Sequence, residues 1–319
     1  MNSAEDAGVG RILFITLSCV GDVVMSTPVL EVVHERYPGA RIDVVADSRA
    51  SRLLARCPYL GDIIHKDKKA LFRGVIGLMK QLRGRRYDLI VDLRTDGLTW
   101  LLRSDYKLTK RRTRPYGPHS VERMMGVIRS LHGEAPIPPA RVWLDDADRN
   151  DAAERLALLP QGAWLALGPG STGARVRKAW PAENYAALAN SLQHRFVGVI
   201  LAGGPGERDL TSEIAARLNL PSIDATDTDL LQLAALLERC SLYVGADSGP
   251  GHIAAAMGVP TLTLFGEDLR ENCLPWCSRA TGLAAASGLA RDIPFEEVLA
   301  GARALVDRQS VSDKPSRVS

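Results

Sequence analysis

No stretch of this chain offers the roughly 18 consecutive apolar residues that a membrane-spanning helix requires, so no such helix is expected. The first ten residues, MNSAEDAGVG, lack the basic and apolar segments of a secretory leader. Cysteine is scarce: five in 319 residues, Cys19, Cys57, Cys240, Cys273 and Cys277, an odd number and mostly scattered. That argues for reduced thiols and a cytoplasmic setting rather than a disulfide scaffold. Cys273 and Cys277, in CLPWC, form the one close pair, and no Cys or His cluster elsewhere completes the four ligands that tetrahedral zinc needs. The pair is read as structural, and no metal is expected. No short-period repeat is present, which excludes a solenoid. The phosphate-binding pattern G-x-x-x-x-G-K-[ST] is missing too.

What is present suits a soluble globular protein. Apolar content is 46% and charge 24%, both ordinary. At 319 residues the chain is long for one core, so two domains are expected. The net charge of +3 conceals an asymmetry: residues 1–150 hold 25 Lys+Arg against 18 Asp+Glu, a net +7, and the rest 15 against 19, a net −4. The first half therefore suits an acidic partner, unless its charges are a solvated face.

Strand-like runs alternate with helix-like runs. RILFIT, RIDVVAD, DIIHK and DLIVDLR read as strands; TPVLEVVHERYP, SRLLARCP and ALFRGVIGLMKQLRGRRY read as helices, the first with Pro near its start. GEAPIPPARVWLDDADRND, rich in Pro and Asp, reads as a linker. The alternation then restarts, with WLALGPG, FVGVILAGG, SLYVGAD and TLTLFG as strands. Such alternation means parallel sheets with right-handed crossovers, α/β throughout. The expected division is a disordered 1–10, a first domain at 11–145, a second at 146–308 and a disordered tail at 309–319, with a cleft between the domains.

In open α/β sheets ligands bind beyond the carboxyl ends of strands. That rule selects four loops. In LSCVGDVVMSTPVL, residues 17–30, Gly21 allows a tight turn and Asp22 falls near the start of a helix. Asp22 either caps that helix or faces the cleft as a general base. GPGSTG, 168–173, formally has the spacing of a dinucleotide-binding turn. Its helix starts only near Pro181, ARVRKA intervenes, and no acidic residue stands about 20 positions on to hold a ribose. A phosphate-binding loop fits better, with the hydroxyls of Ser171 and Thr172, open glycine N–H groups and the charge of Lys178. In GADSGPGH, Asp247, Ser248, Gly249, Gly251 and His252 open another helix. They suit a phosphate there, or else a helix cap and a buried imidazole. In AGGPGERD, Glu207 binds a ribose hydroxyl or simply starts the next helix.

LSCVGDVVMSTPVL, GPGSTGARVRKAWP and DSGPGHIAAAMGVPTLTLFG, in this order and spacing, resemble the three signatures of glycosyltransferase family 9, the lipopolysaccharide heptosyltransferases. The resemblance spans roughly residues 10–305. It implies a GT-B fold, two Rossmann-like doubly wound domains facing a central cleft, the first binding an acceptor and the second a nucleotide-sugar. It implies inverting, metal-independent transfer of heptose from ADP-heptose to an anionic glycolipid or glycan, with no further cofactor and no nucleic-acid partner. By motif position, Asp22 resembles the catalytic base and Lys178 the residue that stabilises the leaving group. Ser171, Thr172, Glu207, Asp247, Ser248, Gly249, Gly251 and His252 would hold the donor, and Arg94 and His119 the acceptor. The chain departs from the pattern at Val20, usually Leu, at the additional Arg175 and Arg177, and in GEDLRENCLPWC, which replaces a GPTDP-like run. The donor base and sugar are thus less constrained than the fold. The basic segments 66–86 and 103–114 would meet acceptor phosphates or the inner face of an anionic membrane, or form a solvated face. Rival readings are a transferase using another nucleotide-sugar, a nucleotide-sugar epimerase on the same scaffold, an NAD-dependent oxidoreductase resting on GPGSTG, and a non-catalytic binding protein.

Overall fold

Val/Ile/Leu-rich runs become strands because a parallel sheet is buried on both faces. The computed structural model of the chain describes residues 8–65, 71–95, 97–170 and 178–312, with side chains except those of 71–75, 112 and 309–312. Contacts divide the chain into two units, Met1–Trp143 and Leu144–Ser319.

In the first unit β1 (Arg11–Ile15), β2 (Arg41–Ala46), β3 (Leu60–His65), β4 (Tyr87–Asp92) and β5 (Ser104–Thr109) form a sheet in the order β3-β2-β1-β4-β5. Every pairing is parallel. Helices α1 (Val20–Arg36), α2 (Leu71–Arg83), α3 (Ser120–Met125) and α4 (Arg129–His132) complete it. In the second unit β6 (Trp164–Gly168), β7 (Gly198–Leu201), β8 (Ser222–Asp224), β9 (Cys240–Ala246), β10 (Thr261–Phe265) and β11 (Ala280–Ala284) lie in the order β11-β10-β9-β6-β7-β8, again all parallel. Its helices are α5 (Asp146–Leu156), α6 (Ala182–Ser191), α7 (Arg208–Ala215), α8 (Leu230–Glu238), α9 (Gly249–Ala256), α10 (Arg270–Cys273) and α11 (Phe295–Ser312). Both units are Rossmann-like, with continuous buried cores that include Leu13, Ile15 and Ile90 in the first and Leu167, Trp180 and Val244 in the second.

Several local expectations are corrected. The helix expected from Thr27 begins at Val20 and keeps Pro28 in its interior. Proline removes one N–H from the helix ladder. Here the Thr27 hydroxyl donates to the Val24 carbonyl at 2.7 Å, supplying the donor that Pro28 lacks. SRLLARCP forms only one short turn, Ser51–Leu54. The expected linker contains α5, started by a capping box in which Asp145 accepts from the Asp148 N–H at 2.9 Å and Asp148 from the Asp145 N–H at 3.1 Å. Arg149 ties this helix to Glu238 of α8 at 3.0 Å. RSDYKLTKRRTR supplies the edge strand β5, and α11 runs on to Ser312.

The amino halves of the first unit's strands are tied through one buried carboxylate. Asp43 of β2 is fully buried and accepts from Arg11 (2.9 Å), Arg85 (2.9 Å), the Tyr87 hydroxyl (3.1 Å) and the Asp62 N–H (2.9 Å). Burial alone would raise its pKa, but the Asp62 N–H and the Arg85 and Arg11 guanidiniums outweigh burial and hold it below the usual value. Burial, with the neighbouring carboxylate, pushes the Tyr87 hydroxyl up to about 12.

Candidate functional site

Strand order reverses once in each sheet, between β1 and β4 and between β6 and β9. At such a switch point the loops following the two strands diverge and leave a crevice. The first unit places Asp22, Ser18 and Arg94 there. The N-cap of α1 is Cys19, which makes no side-chain cap bond, and Asp22 lies in the first turn. A carboxylate is electrostatically favoured at that end of a helix. Arg94, in the loop after β4, donates to the Ser18 hydroxyl at 2.9 Å and joins the two loops. That loop is shaped by Asp92, the fully buried last residue of β4. Asp92 accepts from the N–H groups of Arg94 (2.9 Å) and Thr95 (2.7 Å) and from the Thr99 hydroxyl. These bonds hold Thr95 at φ 55, a left-handed conformation rare for a β-branched residue. The Thr95 hydroxyl then accepts from the Lys110 N–H at 3.1 Å, linking the loops after β4 and β5.

Half-buried Asp22 lines a cavity of about 330 Å³ with Leu17, Lys110, Ser120, Arg123 and Met124. It is a carboxylate facing a mixed apolar and cationic space. His119 is buried as the N-cap of α3. Its Nδ1 accepts from the Val121 N–H at 3.2 Å, and its own N–H is taken by Glu122 at 2.9 Å. The imidazole thus sets the helix turn that presents Ser120, Arg123 and Met124 to the cavity.

In the second unit Lys178, past β6, and Asp247, past β9, form an ion pair through Nζ and Oδ2, and Nζ also donates to the Asp247 carbonyl at 3.4 Å. The Asp247 N–H bonds Leu264 O at 3.1 Å and holds the residue in line with β10. His252 Nε2 lies 4.0 Å from the other Asp247 oxygen. Ser248 is the N-cap of α9 but makes no cap bond, and its hydroxyl lies buried beside the Tyr243 hydroxyl. Gly249 and Gly251 lie in the first turn of α9, whose N-terminal N–H groups and dipole suit an anion. Glu207 accepts from the Gly204 N–H at 2.7 Å, so it starts its own helical turn. Its other oxygen lies against Gly170, where a Cβ would stand only 2.7 Å away. Ser171 and Thr172 lie outside the described residues.

The structure thus gathers Asp22 and Arg94 at one switch point and Lys178, Glu207, Asp247, Ser248 and His252 at the other. Sequence reasoning missed Asp92, Arg123 and Tyr243, and held Lys110 only as part of the basic segment 103–114. Tyr243, on β9, is fully buried beneath the glycines; a Cβ on Gly168 would overlap its hydroxyl, and one on Gly251 would lie 3.3 Å from Cε1. The glycine cluster at 168, 245 and 251 was the available signal, because close packing against backbone excludes a side chain there. Among the described residues no group of three or more His, Cys, Asp or Glu side chains is placed to hold a metal ion.

Two Rossmann-like units, each with ligand-suited loops at its switch point, make up a GT-B architecture. The profile of glycosyltransferase family 9 (heptosyltransferase) matches residues 96–294, well over half the chain. The chain belongs to this family, and it is a glycosyltransferase. It is 27% identical to lipopolysaccharide heptosyltransferase 3 of Escherichia coli K12 over 285 residues, 80% of this chain and 82% of that one. Among solved structures it superposes on a family 9 glycosyl transferase from Veillonella parvula with TM-score 0.81 at 22% identity, covering 94% of this chain and 98% of the other. The E. coli ADP-heptose lps heptosyltransferase II gives 0.75 at 24% identity, with 94% and 99% covered.

Proposed function

We propose that this enzyme transfers heptose from ADP-heptose to a lipopolysaccharide core or a related anionic glycan, with inversion and without a metal. The first unit takes the acceptor and the second the donor. One observation carries the reading: the Lys178–Asp247 pair stands beside the N-terminus of α9, whose N–H groups and Ser248 hydroxyl suit a sugar diphosphate. The names of the relatives, lipopolysaccharide heptosyltransferases, supply the sugar and the acceptor class.

In this mechanism Asp22 takes the proton of an acceptor hydroxyl as its oxygen attacks the anomeric carbon. Attack comes from the side opposite the nucleotide, so configuration inverts as the bond to the diphosphate breaks. Negative charge grows on the departing diphosphate. Lys178, the Ser248 hydroxyl and the N–H groups of α9 meet that charge, and Ser171 and Thr172 add hydroxyls. One such donor is worth about 3–4 kcal/mol of barrier. Glu207 and Asp247 orient the nucleotide end, with His252 behind Asp247. Arg94, Lys110 and Arg123 neutralise acidic groups of the acceptor. The enzyme works in the cytoplasm, in peripheral contact with the inner face of the membrane.

Asp22→Asn tests the chemistry, because general-base catalysis contributes about 10²–10⁴-fold. Turnover should fall at least about 100-fold with ADP affinity unchanged in calorimetry. Near-normal turnover would remove Asp22 from the mechanism. Thermal shifts with ADP, GDP, UDP, CDP and NAD should single out ADP, and transfer should survive EDTA. Stabilisation by UDP or NAD instead would point to another nucleotide-sugar or to redox chemistry.

A further inference from the structure

One face of the first unit is apolar and cationic in a way the transfer reaction does not use. Ile76, Trp100 and Leu101 are 66%, 56% and 54% exposed. A single exposed apolar side chain is ordinary, but three in two adjoining segments are not. Arg83, at the end of α2, donates through Nε and Nη2 to the Leu101 carbonyl at 3.1 and 3.0 Å, which fixes the 98–101 turn beside the helix. Ile76 lies two turns before Arg83 on the same face of α2. The Arg111 guanidinium stacks on the Trp100 ring, 3.9 Å from its centroid. Arg83, Leu101, Arg86 and Arg103 border an open cavity of about 810 Å³ that also reaches Asp105.

We propose that this face is a membrane-docking surface. Trp100, Leu101 and Ile76 enter the interfacial zone of a bilayer, and Arg83, Arg103 and Arg111 bind anionic phospholipid headgroups. An aromatic ring capped by a guanidinium suits the depth where acyl chains meet headgroups. Clustered arginines add an attraction that scales with anionic lipid. A second copy of the chain is a poor occupant, because a two-fold contact would set arginines against arginines. Lys110 lines the Asp22 cavity and is followed directly by Arg111, which stacks on Trp100. A lipid-carried acceptor would then be met at the bilayer surface. The proposal deepens the peripheral membrane contact included in the function proposed above by naming the face that makes it, and the meeting with a lipid-carried acceptor rests on that function as well.

The full chain is sedimented with phosphatidylcholine vesicles, with and without phosphatidylglycerol. It should bind only the anionic set. Arg103→Gln/Arg111→Gln should weaken partitioning about 25-fold, from roughly fivefold per arginine. Trp100→Ser/Leu101→Ser should weaken it at least about tenfold. The vesicle-induced blue shift of tryptophan fluorescence should disappear in Trp100→Phe, a variant that keeps a ring in place. Equal binding to neutral vesicles, no binding, or binding that survives the Trp100/Leu101 change would each overturn the proposal. Transfer from ADP-heptose to a water-soluble, deacylated acceptor is measured alongside. Vesicle binding without transfer would sink the proposed function and leave the docking face standing; transfer without vesicle binding would do the reverse.

Discussion

Replacing Gly168 by Ala would place a methyl group at the carboxyl end of β6, directly on Tyr243. The new Cβ would overlap the Tyr243 hydroxyl and stand 2.6 Å from Cζ and 3.0 Å from Cε2, well inside normal contact. The ring has nowhere to go. It is fully buried, Gly251 lies under its other edge, and a Cβ on Gly245 would stand 2.5 Å from the Gly168 carbonyl, so the strands cannot close further. Overpacking of this kind costs about 1–3 kcal/mol. A central value of about 2 kcal/mol lowers Tm by roughly 4–8 °C for a unit of this size. Gly168 also begins the loop toward Lys178, so ADP affinity should fall in the same variant. Tyr243→Phe alone should cost no more than about 1 kcal/mol, because the hydroxyl it removes meets only the Ser248 hydroxyl. Combined with Gly168→Ala it should recover only part of the loss, since Cζ would still lie 2.6 Å from the new methyl. Calorimetric melts of the four proteins, with ADP titrations, close the cycle. A coupling of at least about 0.5 kcal/mol is expected. Additive effects, or a Gly168→Ala melt within about 1 °C of wild type, would refute the wedge.

Two further variants separate donor chemistry from stability. Lys178→Ala should weaken ADP binding and donor turnover together, by about tenfold each. A charge-assisted hydrogen bond is worth about 1.5–3 kcal/mol, and the lysine's partial exposure argues for the low end; unchanged kinetics on both would discard its role. Asp43→Ala should destabilise the first unit by about 3–5 kcal/mol, because it strips partners from Arg11, Arg85 and Tyr87. The Asp43 carboxyl is held below its ordinary 3.8 in the folded chain, so its contribution is complete above that pH and disappears as pH falls further. Acid titration of Asp43→Asn should therefore show a shallower loss of stability below about pH 4 than wild type, and an identical acid limb would show that the network does not titrate as one.

The alternation of strands and helices was legible because buried parallel strands are continuous apolar runs. Elements outside that rule were not. β5, SDYKLT, is an edge strand with charged residues on its open side, and β8 is only three residues long. α5 begins in a stretch that its Pro and Asp content marks as linker, although the Asp145–Asp148 spacing of a capping box was readable. α1 passed through Pro28 because a threonine hydroxyl stood next to it, a substitution for the missing donor that composition does not reveal. At the site, Asp22, Lys178, Glu207 and Asp247 could be picked out as loop residues after strands. Strand order brings Arg94 to Ser18, and Lys110 and Arg123 to the Asp22 cavity; the residues involved are 76 positions apart in the first pair. No local pattern encodes that order.

The two ends of the first sheet divide the labour between stability and chemistry. Toward its amino end, charges are spent on one another: Asp43 gathers Arg11, Arg85 and Tyr87, while Asp88 accepts from the N–H groups of Gly10 and Arg11 at 2.9 and 2.8 Å. Toward the carboxyl end, one buried carboxylate, Asp92, organises backbone instead. It takes up the N–H groups of Arg94 and Thr95, leaving the Arg94 guanidinium to reach across to Ser18. Both carboxylates are fully buried and both are satisfied by several donors. They differ in what they satisfy: side-chain cations in one case, which closes a network, and a loop in the other, which holds a cation at the rim of a crevice. In the second sheet Lys178 and Asp247 again sit at the carboxyl end, whereas the fastening pair Arg149–Glu238 joins helices away from it. A doubly wound sheet can therefore exchange residues at its carboxyl rim with little cost to the fold, as long as the carboxylates that shape the rim, Asp92 foremost, are kept.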